Sequence, residues 1–342
     1  KKNIPKDVKL LGVVKADAYG HGSVMLAPTI LASGIDILGV ASIDEGIDLR
    51  NANINCEILV LGAVPVWAVE SAIENNIGIT IFSDAHIDTC KKAFERTGKK
   101  VKAHIKIDTG MNRIGISKEN AVEFIKKVQI CDFIDLKGIF THLAMAENIE
   151  ETNKQIAIWQ NIISQIKTDD LLLHVQNTAG TICYTVENTN MRRVGIALYG
   201  LAPDFPPLNG INFDLRPLIS LKGRIVNIHN ANDGDGVSYS YTYRAKGTRT
   251  IATIPIGYAD GVSRALSNKI FGVLNGKKVS QVGNITMDQM MFDITDTDAQ
   301  IGDVITLLDE KFSINEWAKI LNTINYELTC RLKVRLPRVY TR

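Results

Sequence analysis

About eight short apolar runs, almost evenly spaced, constrain this chain more than any other feature. They cover residues 10–15, 37–41, 57–61, 78–82, 101–107, 136–141, 172–176 and 194–199. Their β-branched content reads as buried strand. Between them lie amphipathic stretches such as 87–96, 118–128 and 152–166, with helical spacing. Alternation of this kind is the pattern of a parallel α/β fold. A doubly wound open sheet gives the same local signal, but the count favours a closed (β/α)8 TIM-type barrel. No Gly-x-Gly-x-x-Gly follows the first run, which argues against a dinucleotide-binding sheet.

Pro203, Pro206, Pro207 and Gly210 break the rhythm and mark a boundary. Two domains are expected, a barrel over 1–210 and a second over 211–342. In the second, residues 219–228, 250–254, 273–274, 279–282, 290–294 and 304–308 read as strands of a mostly antiparallel β domain. Asn275-Gly276 is a hairpin signal, and 314–324 reads as a helix opened by a Ser313/Glu316 capping box.

Composition removes several function classes. With 342 residues, 45% hydrophobic and 22% charged, the chain can bury a sizeable core in two domains. A net charge of +2 gives no reason to expect nucleic acid or an anionic membrane as partner. Five scattered cysteines without a Cys-x-x-Cys pair argue against a disulfide framework and against a metal site, and fit the reducing cytoplasm. No run is long and apolar enough to span a bilayer, and no signal peptide is visible. The chain opens Lys1-Lys2-Asn3 without a methionine. It therefore reads as a fragment, with room for a membrane anchor upstream.

Polar residues that could do chemistry fall just after the strands. Lys15 follows the first, Asp108 to Arg113 the fifth, His142 the sixth, Asn177 and Thr178 the seventh, and Arg193 to Ile196 mark the eighth. In a barrel all these ends open on one face, where active sites are built. Each alone is weak: His142 could be a core-edge histidine and Arg113 a surface cation. Lys15 is the sharpest, because desolvation lowers a lysine's pKa and a neutral amine can form a Schiff base. Its ordinary alternative is the point where a strand meets water.

Lys-Ala-Asp-Ala-Tyr-Gly-His-Gly at 15–22 resembles the pyridoxal-phosphate lysine motif of the alanine racemase family. Further matches follow in order. They are Asp-Thr-Gly-Met-Asn-Arg-Ile-Gly at 108–115, Thr-His-Leu-Ala at 141–144, Asn-Thr-Ala-Gly at 177–180, Arg-Val-Gly-Ile-Ala-Leu-Tyr-Gly at 193–200 and Val-Ser-Tyr at 237–239. Ile-Gly-Tyr-Ala-Asp-Gly at 256–261, Met-Asp-Gln at 287–289 and Arg-Leu-Pro-Arg-Val-Tyr at 335–340 complete the series.

The resemblance implies a pyridoxal 5'-phosphate enzyme that racemises a small amino acid, L-alanine to D-alanine, with two bases. Lys15 would hold the cofactor and act on one face of the substrate, and Tyr239 on the other. His142 and Arg193 would support Tyr239, and Arg193 would face the pyridine nitrogen. Because arginine does not give up its proton, that nitrogen would stay unprotonated, which favours reprotonation at Cα over transamination. Tyr19, Thr178 and the amides of Gly195 and Ile196 would cradle the phosphate, with Asn177 as a neighbour of open role. Arg113 and Met287 would bind the substrate carboxylate, with Tyr258 and Asp288 supporting. Lys106 matches a lysine that is carbamylated in some members; pairing with a nearby acid is its ordinary alternative. Tyr239 and Met287 would come from a second subunit, which implies a head-to-tail homodimer with shared sites.

Two departures stand out. Only a short lead precedes Lys15, where the family has a strand and helix. Val334 replaces a tyrosine common in the family, which removes one hydrogen bond to the phosphate and opens space for a hydroxymethyl group. Serine is therefore an alternative substrate, as in the membrane-bound serine racemases of vancomycin resistance. A non-catalytic protein of cofactor homeostasis would lack Tyr239 and the β domain. A decarboxylase would place a carboxylate where Arg193 stands.

Overall fold

Valine, isoleucine and leucine fill most positions of the first N-terminal strands, as strands buried on both faces require, while Val101–Asp108 alternates apolar with polar residues. In the computed structural model, which describes residues 4–203, 214–332 and 335–341, eight such strands are parallel. They are β1 (Lys9–Val13), β2 (Ile37–Val40), β3 (Glu57–Val60), β4 (Ile79–Ile81), β5 (Val101–Asp108), β6 (Ile134–Phe140), β7 (Leu172–His174) and β8 (Met191–Val194). Leu11 pairs with Ile37, and Ile37 with Glu57; a bridge from Leu59 to Gly78 leads on to β4. β4 to β7 then pair in sequence order. The Asn190 amide donates to Leu173 O and the Arg193 amide to Gln176 O, both at 3.1 Å. β8 closes on β1, with Leu11 opposite Arg193. The ring is a closed (β/α)8 barrel.

Side-chain caps hold two of the helices between the strands. Ser42 Oγ accepts the Glu45 amide, and Asn148 Oδ1 accepts those of Glu150 and Glu151; such caps contribute about 1 kcal/mol each. Ile105, Ile107, Ile79 and Ile81 are fully buried, worth about 1.5–3 kcal/mol apiece.

The last strand differs from expectation. The sequence suggested a strand over 194–199, but β8 ends at Val194 and a short 3-10 turn, Ile196–Tyr199, follows. The cause is local. The Gly195 amide turns to the Thr178 hydroxyl at 2.8 Å, and the Leu198 amide bonds back to Gly195 O.

The chain divides into two compact units, the first built on Lys1–Leu198 and the second on Leu215–Arg342. The expected boundary at 210–211 lies outside the described residues. The second unit carries a seven-stranded antiparallel sheet. Its strands are β9 (Leu221–Arg224), β10 (Asn227–Ala231), β11 (Arg249–Ile254), β12 (Phe271–Leu274), β13 (Lys277–Val282), β14 (Met290–Asp293) and β15 (Val304–Leu308). They lie in the order β9-β15-β12-β13-β14-β11-β10. Asn275 and Gly276, at φ 49° and 79°, make the expected tight hairpin.

The single strand expected over 219–228 is two, β9 and β10. The helix Ile314–Leu321 is shorter than expected, stopped by Asn322 in the left-handed region, and its Ser313 hydroxyl accepts the Asn315 amide. A further helix, Asn325–Arg331, had no sequence signal strong enough to separate it from the one before. A two-stranded ribbon, Gly236–Val237 with Tyr243–Arg244, is anchored to the sheet through Val237 and Ala245, which pack with Ile251, Val282 and Met291.

Candidate active site

The turn after β1 does what few L-residues do. Ala16, Asp17, Ala18 and Tyr19 all lie in the left-handed region, φ 52° to 54°, at a cost of about 1–2 kcal/mol per residue. The surroundings over-determine it. Glu45 clamps two amides, Ala16 by Oε1 and Ala41 by Oε2, both at 2.7 Å. Asp17 Oδ1 accepts the Ser23 amide at 2.7 Å, and His21 Nδ1 donates to Ala18 O and Tyr19 O at 3.0 Å. Lys15 stands at the start of this turn rather than in the strand. Tyr19 is buried, and its hydroxyl lies against Gly195, where a Cβ would sit 2.6 Å from it.

Arg193 occupies the barrel interior, almost wholly buried. Four of its five N–H groups are claimed by protein acceptors. Nη1 donates to His174 Nδ1 at 2.9 Å and to His174 O at 3.1 Å; Nη2 donates to Thr141 O at 2.8 Å and to Val175 O at 3.0 Å. Among the described residues no acceptor meets Nε–H. Burial pushes this guanidinium down to about 9, still above neutrality, so Arg193 stays a cation at pH 7.

His142 sits beside it, with Nδ1 3.3 Å from Arg193 Nη2 and Nε2 3.3 Å from Asn177 Nδ2. A neutral imidazole carries one proton, and both neighbours are donors, so the two contacts cannot be equally good hydrogen bonds. Burial first, then Arg193, Arg113, Lys106 and Lys15, hold His142 well below the ordinary imidazole pKa. Asn177, left without a role by the sequence, caps the helix Thr178–Cys183 through Oδ1 and turns its amide to His142 and Leu143 O.

Lys106, also on the interior, is pushed down to about 7, by burial first and then by Arg193. Its Nζ donates to Ile107 O at 2.7 Å. Among the described residues no carboxylate lies within ion-pair distance, so the ordinary alternative of pairing with an acid fails. Asp108 does other work: its Oδ1 accepts the amides of Gly110, Met111 and Asn112 at 3.0–3.1 Å, ordering the loop that carries Arg113.

Three positioning groups went unread in the sequence. Gln155 donates to Thr109 Oγ1 and to His142 O and accepts the Ala144 amide, fixing the loop of His142. His174 and Glu45 are the others. The strand Leu172–His174, two leucines followed by the histidine, has no alternation that would have singled out His174. Gln155 and Glu45 lie on helices far along the chain and offered no signal either.

Within the second unit, Tyr239 lies in a turn of the ribbon loop and is 72% exposed. Ser238 Oγ donates to Asn284 O, and Asn284 Nδ2 to Tyr239 O at 2.7 Å. Met287, 53% exposed, accepts the Ala259 amide on its carbonyl, and the exposed Tyr258 donates its amide to Thr286 O. Asp288 pairs with Arg335, which also grips Asp260 through two contacts. Tyr239, Tyr258, Met287 and Asp288 thus share one edge of this unit. Val334 lies outside the described residues.

The barrel residues fit pyridoxal phosphate on their own terms. Lys15, Lys106, Arg113 and Arg193 crowd cations at one end, which asks for an anionic ligand. Gly195 leaves the space beside Tyr19 that a Cβ would fill, and the open Nε–H of Arg193 suits an acceptor ring nitrogen. One adjustment is implied: the Gly195 amide, expected on the phosphate, here donates to Thr178 Oγ1.

Comparisons with known proteins agree. The family model described as alanine racemase, N-terminal domain, matches residues 1–203, and that of the C-terminal domain matches 218–340. Alanine racemase 2 of Oceanobacillus iheyensis is 40% identical over 352 aligned positions, covering 100% of this chain and 89% of that protein. The crystal structure of alanine racemase from Bacillus anthracis with bound L-Ala-P superposes with a TM-score of 0.92 at 37% identity, covering 100% of this chain and 90% of the other. The enzyme of Bartonella henselae, with covalently bound pyridoxal phosphate, gives 0.87 at 30%, with 98% and 93% covered. This chain belongs to the alanine racemase family.

Proposed function

We propose that this chain interconverts L- and D-alanine, with Lys15 and Tyr239 moving the Cα proton on opposite faces of the substrate. The observation that carries the reading is the bonding of Arg193, whose four Nη hydrogens are held by protein and whose Nε–H is left for a ring nitrogen. When bound, pyridoxal phosphate supplies the electron withdrawal that acidifies the substrate Cα–H. Tyr19 and Thr178, with the amides of Gly195 and Ile196, hold the phosphate, while His142 and Asn177 order the wall beside Arg193. Arg113, presented by the Asp108 loop, orients the substrate carboxylate.

A racemase takes a proton from one face and returns one to the other. With Lys15 neutral and Tyr239 protonated, the lysine amine accepts Cα–H and the phenol delivers its proton; the reverse reaction exchanges the roles. Proton and charge balance in either direction. Lys106 is proposed as a carbamate, since an amine near neutrality attacks CO2 and releases one proton, giving an anion beside Arg113.

The site is proposed to be shared between subunits of a head-to-tail homodimer, the partner's Tyr239 and Met287 completing it. The high exposure of both residues supports this. Five scattered cysteines without a Cys-x-x-Cys pair support a cytoplasmic location, and among the described residues no helix is long and apolar enough to cross a membrane. Mixing experiments test the shared site. Lys15→Ala and Tyr239→Phe proteins, each inactive alone, should recover activity when co-refolded, because mixed dimers contain one intact site; no recovery would exclude sharing. The valine at 334 makes L-serine the second substrate to assay, with Val334→Tyr expected to lower the serine-to-alanine ratio.

A further inference from the structure

A directed hydrogen-bond wire leads from Arg193 to the opposite end of the barrel. Arginine only donates, so His174 Nδ1, at 2.9 Å from Nη1, must be an acceptor. That puts the proton of neutral His174 on Nε2. His174 Nε2 lies 3.0 Å from His104 Nδ1, so His104 accepts there and carries its own proton on Nε2. The tautomers of both histidines follow from the arginine alone.

The surroundings leave little freedom. Phe140 stacks on His174 with centroids 4.7 Å apart and planes 3° from parallel. Gly138 makes room for the histidine pair: a Cβ there would sit 2.6 Å from His104 Nδ1. His104 is only 5% exposed, and it lines a cavity of about 140 Å3 at the N-terminal ends of the strands, with Glu57, Lys102 and Lys137. With Nδ1 turned inward to His174, the Nε2–H edge of His104 is left for this cavity. Burial, and then Arg193, hold both histidines well below the ordinary imidazole range, which keeps them neutral.

We propose that His104 is a positioning residue for Arg193, acting through His174. By accepting the His174 Nε2–H it fixes the tautomer that presents a lone pair to Arg193, and so keeps Nη1 bound to protein and Nε–H free. Without an acceptor at 104, the His174 N–H is stranded in the barrel core, at the cost of a buried unmet donor. The other tautomer then sets N–H against N–H at Arg193. This rests on the assignment of Arg193 to the ring nitrogen.

The wire can be tested with and without cofactor. In 15N-histidine spectra of the whole protein, His104 and His174 should both be protonated on Nε2 and neither should titrate between about pH 5.5 and 8.5. A proton on His174 Nδ1, or titration of either ring in that window, overturns the proposal. His104→Leu should lower kcat about tenfold with KM for alanine unchanged, shift the His174 resonances, and raise the fraction of turnovers ending in pyridoxamine phosphate. His104→Asn, whose carboxamide oxygen can replace the Nδ1 acceptor, should restore kcat to within about threefold. Equal damage in both variants, or unmoved His174 resonances in His104→Leu, would mean that His104 only fills space. If the leucine variant does not fold, the tautomers of the unmodified protein still decide. Failure of the racemase reading would look different: no alanine racemisation by the unmodified protein, whatever its histidine tautomers.

Discussion

The barrel interior around Arg193 and the exposed edge of the second unit that carries Tyr239 are built by opposite means. Around Arg193 the side chains hold one another. The guanidinium has four protein acceptors, its neighbour His174 is held in turn by His104, and all three are buried. Around Tyr239 the backbone does the holding. Asn284 grips the tyrosine's own carbonyl, Met287 is fixed through its carbonyl, and both side chains stand in solvent. Folding and function are therefore coupled in the first region and separable in the second.

The largest expected effect comes from the boundary case. Lys15→Ala should lower alanine racemisation by on the order of 10^4-fold and remove the absorbance band of lysine-bound cofactor. A band that survives would move the cofactor lysine elsewhere and leave Lys106 as the next candidate. Next is Tyr239→Phe, which deletes one exposed hydroxyl. Activity should fall about 10^3-fold, while the melting temperature stays within about 1 °C, as for surface changes that leave packing alone. Exchange of the Cα proton should persist for one enantiomer and fail for the other. Equal exchange of both at normal rates would remove Tyr239 from the mechanism.

The contrast also explains what the sequence made legible. Strand placement in the barrel was readable because β2 and β3 are nearly unbroken apolar runs, while β5 alternates apolar with polar residues. The end at Val194 was not, since the following Gly195-Ile196-Ala197-Leu198 is as apolar as a strand and turns only because the Gly195 amide finds Thr178. The roles proposed for Lys15, Arg193 and Tyr239 come from motifs. The left-handed turn Ala16–Tyr19 was hidden, because its residue types argue against it and its stability lies in Glu45, a helix away. Gln155 and His104 were hidden for the same reason. Their roles are made by partners 46 and 70 positions distant.

Arg193→Lys probes the coupling directly. Lysine keeps the charge but cannot reach four acceptors in a fixed fork. His174 Nδ1, Thr141 O and Val175 O would lose donors in a dry interior, at about 1–3 kcal/mol for each group left unmet. A destabilisation of about 3 kcal/mol, seen as a shifted urea midpoint, should accompany about a 30-fold loss of kcat. Loss of activity without loss of stability would place Arg193 in the same class as Tyr239 and dissolve the contrast.

The smallest effect concerns Lys106 and depends on pH. Its folded-state pKa of about 7 lies below the ordinary lysine value. Between the two the unfolded chain binds more protons than the folded one, so stability rises with pH across that window. Below about 7 both states are protonated and the folded state bears the full penalty of a buried charge. Lys106→Met removes that penalty. In CO2-free buffer the variant should melt about 2–4 °C above the parent at pH 6, and the gap should narrow above about pH 7 and close only as the pH approaches the ordinary lysine value of 10.5. Added bicarbonate should narrow the gap by stabilising the parent, because the carbamate is an anion among Arg113 and Arg193, and 13C-labelled bicarbonate should give a carbamate signal that Lys106→Met lacks. A gap that is constant with pH would mean that Lys106 is not buried as a neutral amine, and the interior would then hold one more permanent cation than its bonding provides for.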